Sequence, residues 1–148
     1  ALMGMAATAP AAAAVAMGTG CRALAAAKLP RVVKPPLSFA TAPAAEVAAY
    51  KEYRHRVTRA VRKRYAGVLG ASALVQAHPF DVPPHLPRLL LALAKHVSDP
   101  APIATAVREL FATFKHTHND NWEAHKAAFT SDELTELADL LVSANYYA

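Results

Sequence analysis

From residue 44 onward the large apolar residues return at every third or fourth position, in runs cut apart by proline and aspartate, and that spacing specifies helices rather than strands. Val57, Val61, Tyr65, Val68, Ser72 and Val75 trace one face of a long helix that begins near residue 45 or 55 and runs to Ala77, where His78-Pro79 stops it. Gly67 and Gly70 fall inside that run. Glycine in a helix interior costs about 1 kcal/mol relative to alanine, so the pair predicts a close crossing with a neighbouring helix. Asp81, Pro83 and Pro84 then form a loop that delivers a second apolar face: Leu86, Leu90, Leu93 and Val97. Ser98-Asp99-Pro100 repeats the device, with Asp99 expected as an N-cap and Pro100 as the first helical residue, ahead of a third face of Ile103, Val107, Leu110 and Phe114.

The third helix is expected to end near the polar stretch 116–121, and a short helix to carry Trp122 and Phe129. The last helix has an explicit start signal. Thr130 and Glu133 make a capping box, with Phe129 and Leu134 in the hydrophobic-staple positions either side of it. Leu134, Leu137 and Leu141 then face the core, and after Val142 the periodicity stops, leaving 143–148 as a tail. Helices in antiparallel pairs, joined by proline and aspartate turns with no strand alternation, describe an all-α, HEAT-like α-solenoid, with its helical domain at 44–142. A terminal unit of such a stack exposes an apolar side where its neighbour sits, so it is expected to be marginal alone.

Composition matters most before residue 44. Hydrophobic residues make up 54% of the chain, but alanine crowds 6–27 while the large side chains concentrate after residue 50, so the core should come from the second two-thirds. Residues 29–43 hold four prolines, too many for a helix interior. The region 1–43 therefore reads as an Ala/Pro-rich low-complexity segment or linker, with an acid-poor transit peptide and a remnant of upstream helices as the alternatives. The chain opens on alanine rather than methionine, as an excerpt of a longer protein would.

Several function classes are disfavoured. Cys21 is the only cysteine, so neither an intrachain disulfide nor a thiolate zinc site can be built, and a reducing compartment fits. No charge-free apolar run is long enough to predict a membrane span. Residues 1–79 carry eleven Lys/Arg against Glu46 and Glu52, whereas 80–148 carry five against nine acids, a head-to-tail polarity that suits an anionic partner at the basic end. The basic run Lys51, Arg54, Arg56, Arg59, Arg62, Lys63 and Arg64 spreads over more than one helical face, so a solvated surface is the plain reading. Arg59, Arg62, Lys63 and Arg64 are the sharper candidates for an anion site, and nucleic acid is disfavoured because no base-reading motif accompanies the charge. His116, His118, Asp120 and His125 invite a metal reading, but residues two apart on a helix point to different faces, and no metal site is expected. No nucleophile elbow, HExxH, P-loop or glycine fingerprint is present, so a non-catalytic protein is expected.

A set of landmarks in one order carries a resemblance: AGVLG at 66–70, PFDVP at 79–83, SDPAPI at 98–103, HNDNW at 118–122, FTSDEL at 129–134, DLLVS at 139–143 and YYA at 146–148. Over 64–148 the chain resembles the C-terminal domain of the proteasome activator complex subunit 4 family, the large HEAT-repeat proteasome activators. Upstream the likeness weakens, and the alanine run with Pro10 is expected to interrupt the helix the family would place there. The resemblance implies that the chain supplies the C-terminal repeats of a longer superhelix in an ATP-independent, non-catalytic activator. It also implies the nucleus and cytoplasm as location and a role in protein degradation and DNA repair. Acetylated histones would be met through other parts of the longer protein. Inositol polyphosphate is the one cofactor the resemblance suggests, with no residue of this chain assigned to it.

The resemblance also gives the tail a role. Tyr146, Tyr147 and Ala148 are similar to the hydrophobic-Tyr-any ending by which such activators enter pockets between α-subunits of the proteasome core particle. A terminal carboxylate can pair with a pocket lysine, and a tyrosine adds a large apolar area and one phenolic hydrogen bond. Six extended residues reach at most roughly 20 Å past the last helix, and docked tails open the gate only by binding the open state better than the closed one. The competing reading is a HEAT-type protein-protein scaffold with an inert tail.

Overall fold

The computed structural model describes residues 8–141. Six α-helices follow one another: α1 Thr8–Ala25, α2 Ala44–Gln76, α3 Leu86–Ala94, α4 Ile103–His118, α5 Trp122–His125 and α6 Ser131–Leu141, with a 3₁₀ turn on either side of α5. Among the described residues there is no strand. The core lies where the large side chains were expected: Val68 and Val75 from α2, Leu86, Leu90 and Leu93 from α3, Ile103, Val107, Leu110, Phe111 and Phe114 from α4, and Phe129 and Leu137 around α6. Each such side chain contributes about 1.5–3 kcal/mol by leaving water, and α6 closes the cluster by packing on both α3 and α4.

Expectation and structure part company first at the N-terminal end. The alanine-rich stretch, read as low-complexity linker, transit peptide or remnant of upstream helices, is helix α1, and its Ala25 is buried in the common core. Pro10 does not break it, because it falls in the first turn, where the backbone N–H groups have no intrahelical acceptor to lose. Small side chains are what let α1 approach α2. A Cβ at Gly67 would land on the Ala25 nitrogen and 2.6 Å from the Cys21 carbonyl oxygen, and one at Gly70 would lie 2.7 Å from the Cys21 Sγ. With Gly18 next to Leu74, Cys21 next to Gly70 and Ala25 next to Gly67, the two helices run antiparallel at backbone contact. Residues 28–38 have no helix or strand; the Phe39 ring meets Tyr50, and Tyr50 meets Tyr53, in tilted pairs at centroid separations of 5.7 and 5.9 Å, resting the end of the connection on α2.

Two details of the α3–α4 region also differ from expectation. Helix α3 ends at Ala94, so Val97 packs on the core from the following turn instead of extending the helical face. Helix α4 starts at Ile103 after Pro102, and Asp99 is not its N-cap. The Asp99 carboxylate is turned away to Arg64 and His96, and a side chain held by a guanidinium has no need of the helix N–H groups.

At 33 residues, α2 is about 50 Å long. All of its buried residues lie between Gly67 and Val75. Its first five turns therefore project beyond the core as an arm.

Candidate functional site

Helix α6 is the element that leads to the predicted docking tail, and it is fastened along its described length. The Thr130 N–H donates to Glu133 Oε2 at 2.8 Å and the Glu133 N–H donates to Thr130 Oγ1 at 3.2 Å, a reciprocal capping box. Phe129 is buried and Leu134 packs against the same core, as a staple requires. Leu137 has no exposed surface, and Leu140 and Leu141 lean on the core beside it. Where α6 reaches Leu141, that residue lines a cleft of ≈ 170 Å³ with Phe114, Lys115, Asn119 and Trp122. Tyr146, Tyr147 and Ala148 lie outside the described residues.

The basic residues divide in two. Arg59, Arg62 and Lys63 are exposed on the projecting arm of α2, and Arg59 and Arg62 border a shallow groove with His55, Arg56 and Glu52. Arg64 departs from that set. Its Nε and Nη2 donate to the Ala27 carbonyl at 2.9 and 2.7 Å, and its Nη1 donates to both carboxylate oxygens of Asp99 at 2.9 Å. Only 15% of either side chain is exposed. Arg64 is therefore a tie between the end of α1, α2 and the α3–α4 turn, and of the four candidates read from the sequence only Arg59, Arg62 and Lys63 are exposed. Nothing local in the sequence signals this tie, because the partners stand 35 and 37 positions away.

The fold divides the four metal candidates, bringing only the His118 and His125 rings together, edge-on at 4.9 Å. His116 and Asp120 are exposed, whereas His118 is buried. The His118 ring stacks on Phe114 at 4.1 Å, its Nε2 lies 3.1 Å from the Asp81 carbonyl and its Nδ1 2.9 Å from Thr117 Oγ1. It thereby joins the end of α4 to the α2–α3 loop. In that loop His78 reaches Asp81 at 3.3 Å and meets the His85 ring edge-on at 5.6 Å. Burial, and secondarily the neighbouring His78, hold the His85 pKa below its ordinary value of 6.5, against a smaller upward pull from Asp81. Among the described residues no three metal-ligating side chains are grouped to hold an ion, and no helix is long and apolar enough to cross a membrane.

Helices with apolar inner faces, paired antiparallel and joined by proline turns, define an all-α helical-repeat domain. The family model for the C-terminal region of proteasome activator complex subunit 4-like proteins matches residues 61–148, and the chain belongs to that family. Proteasome activator complex subunit 4 of Xenopus laevis and that of Homo sapiens are each 51% identical over 86 residues, 58% of this chain. Proteasome activator subunit 4 of Arabidopsis thaliana is 37% identical over 91 residues, 62% of the chain. The aligned part is 5% of the length of each of these relatives. The matched region begins inside α2, so α1 and the projecting arm precede it.

Proposed function

We propose that the chain is the C-terminal part of an ATP-independent, non-catalytic proteasome activator. Its terminal Tyr146-Tyr147-Ala148 enters a pocket between α-subunits of the core particle and favours the open gate. The observation that carries this reading is the family match, which runs through the helical domain and on to residue 148. The fold supports it physically. A docking tail transmits force only if its base is held, and α6 is held by a reciprocal capping box and the fully buried Leu137. Tyr147 supplies apolar area with one polar handle, and the Ala148 carboxylate supplies the anion for a cationic slot. Gate opening then follows to the extent that the tail binds the open arrangement better than the closed one.

The test compares peptides of residues 143–148, with the terminal carboxylate free or amidated, for stimulation of core-particle peptidase activity. Stimulation by the free acid and its loss on amidation is the expected result. Equal inactivity of both peptides, together with undiminished core-particle binding by a whole chain lacking Tyr147, would sink the docking reading and favour an inert tail on a scaffold.

A further inference from the structure

Between α1 and the start of α3 lies a cleft of ≈ 290 Å³ whose walls include Val15, Gly18 and Arg22 from one side and His85, Arg88 and Leu89 from the other. Two guanidiniums border it, and no lining residue carries a carboxylate. Arg22 Nη2 donates to Thr19 Oγ1 at 3.2 Å, and among the described residues neither Arg22 nor Arg88 forms an ion pair. The contrast with the inward-facing Arg64, matched by Asp99, is direct. Lowered basicity keeps His85 neutral at pH 7, and its Nε2 is shielded without a hydrogen-bond partner.

Gly18 lines the cleft without being required by helix packing. At Gly67 the backbone of a neighbouring helix forbids a side chain; at Gly18 an added Cβ would meet only Leu89 Cδ1 at 3.8 Å and Leu74 Cδ1 at 3.9 Å, ordinary contacts. Helix packing does not require this glycine, although glycine costs its helix about 1 kcal/mol against alanine. Its backbone forms part of the cleft wall.

We propose that this cleft binds a small amphiphilic carboxylate, with the head held by Arg22 and Arg88 and the apolar body laid along Val15 and Leu89. A guanidinium fork matches a planar carboxylate in shape and charge. The apolar walls and the neutral imidazole suit a single negative charge on a hydrocarbon body better than a multiply charged phosphate. The chemistry is shared by the C-terminal aliphatic residue of a peptide and by a free short-chain acid. The site is independent of the docking tail.

The test titrates the whole chain with N-acetyl-leucine, N-acetyl-leucinamide and hexanoate, following backbone amide shifts. N-acetyl-leucine should move the amides of Val15, Gly18, Arg88 and Leu89 saturably, and the uncharged amide should bind at least about tenfold more weakly. Hexanoate binding as well as N-acetyl-leucine would make the ligand a free acid; weaker binding would make it a peptide end. Arg88→Gln should lose at least about tenfold in affinity, and Gly18→Leu should fill the cleft and abolish binding, both with far-ultraviolet helicity unchanged. Equal binding of acid and amide, shifts confined to another surface, or unchanged affinity in Arg88→Gln would each overturn the proposal. The acid–amide pair decides the matter on the unaltered chain even where a variant fails to fold.

Discussion

One nitrogen of Arg64 holds both carboxylate oxygens of Asp99 at 2.9 Å while the other two nitrogens of the same side chain grip the Ala27 carbonyl. A single planar group thus joins three segments, the end of α1, α2 and the α3–α4 turn. Arg64→Ala should cost about 2–4 kcal/mol, since it leaves Asp99 and a carbonyl partly buried and unmatched. Arg64→Lys should recover less than half of that, because one ammonium cannot reproduce the fork. Urea denaturation measures both. Wild-type stability in Arg64→Ala would show that the tie is ornamental to the fold.

The α1–α2 crossing separates two kinds of glycine. Gly67→Ala should destabilise by about 1–3 kcal/mol despite alanine's higher helix propensity, because the new methyl meets the backbone of α1 and nothing there can turn aside. At Gly70 the obstacle is the Cys21 Sγ, with Cys21 Cβ at a comfortable 3.8 Å. Gly70→Ala should therefore be destabilising alone and close to neutral when combined with Cys21→Ala. A thermal-unfolding series of the three variants checks the order, and a Cys21→Ala change that rescued Gly67→Ala equally would contradict it.

Those two sites also show what can be read from sequence and what cannot. Gly67 and Gly70 announce a close crossing because glycine is costly inside a helix, but the identity of the partner is a tertiary fact. Alanine-rich sequence gives little apolar area per residue and so reads as filler, although small residues are what permit backbone contact between α1 and α2. The Thr130–Glu133 box is legible because both partners lie within one turn. Asp99 misleads for the opposite reason: a capping residue beside a proline is a local signal, and a guanidinium 35 residues away overrides it. The cleft at Arg22 and Arg88 has no local signature, since its two arginines come from helices distant in the chain.

Stability should fall on mild acidification partly through His85. Well above pH 6.5 the ring is neutral in both the folded and the unfolded chain and has no effect. Below it the unfolded chain takes up a proton first, because burial and His78 keep the folded pKa lower, so stability decreases until the pH passes that folded value and then levels. Urea midpoints measured from about pH 7.5 to about pH 5 should drop less steeply in His85→Leu than in the natural sequence. Parallel curves would mean that the ring titrates alike in both states.

The final prediction links the core to the tail. Leu137 is fully buried between α6 and the helices beneath it, so Leu137→Ala should open a cavity costing about 2–5 kcal/mol. Thr130→Ala removes one half of the capping box at the exposed end of α6 and should cost about 1 kcal/mol, with faster hydrogen exchange at the Glu133 amide. Both substitutions lie outside the sequence 143–148. If the tail docks from a fixed post, the ordering of α6 must be supplied at the moment of binding in each variant, and the affinity for the core particle should fall in the order of the two stability losses, Leu137→Ala the further. Binding assays with and without a saturating free tail peptide separate this from general unfolding, since a competitor should displace both variants as it displaces the unaltered chain. An affinity that stayed constant across all three proteins would mean that the tail works as a flexible string, indifferent to the helix that carries it.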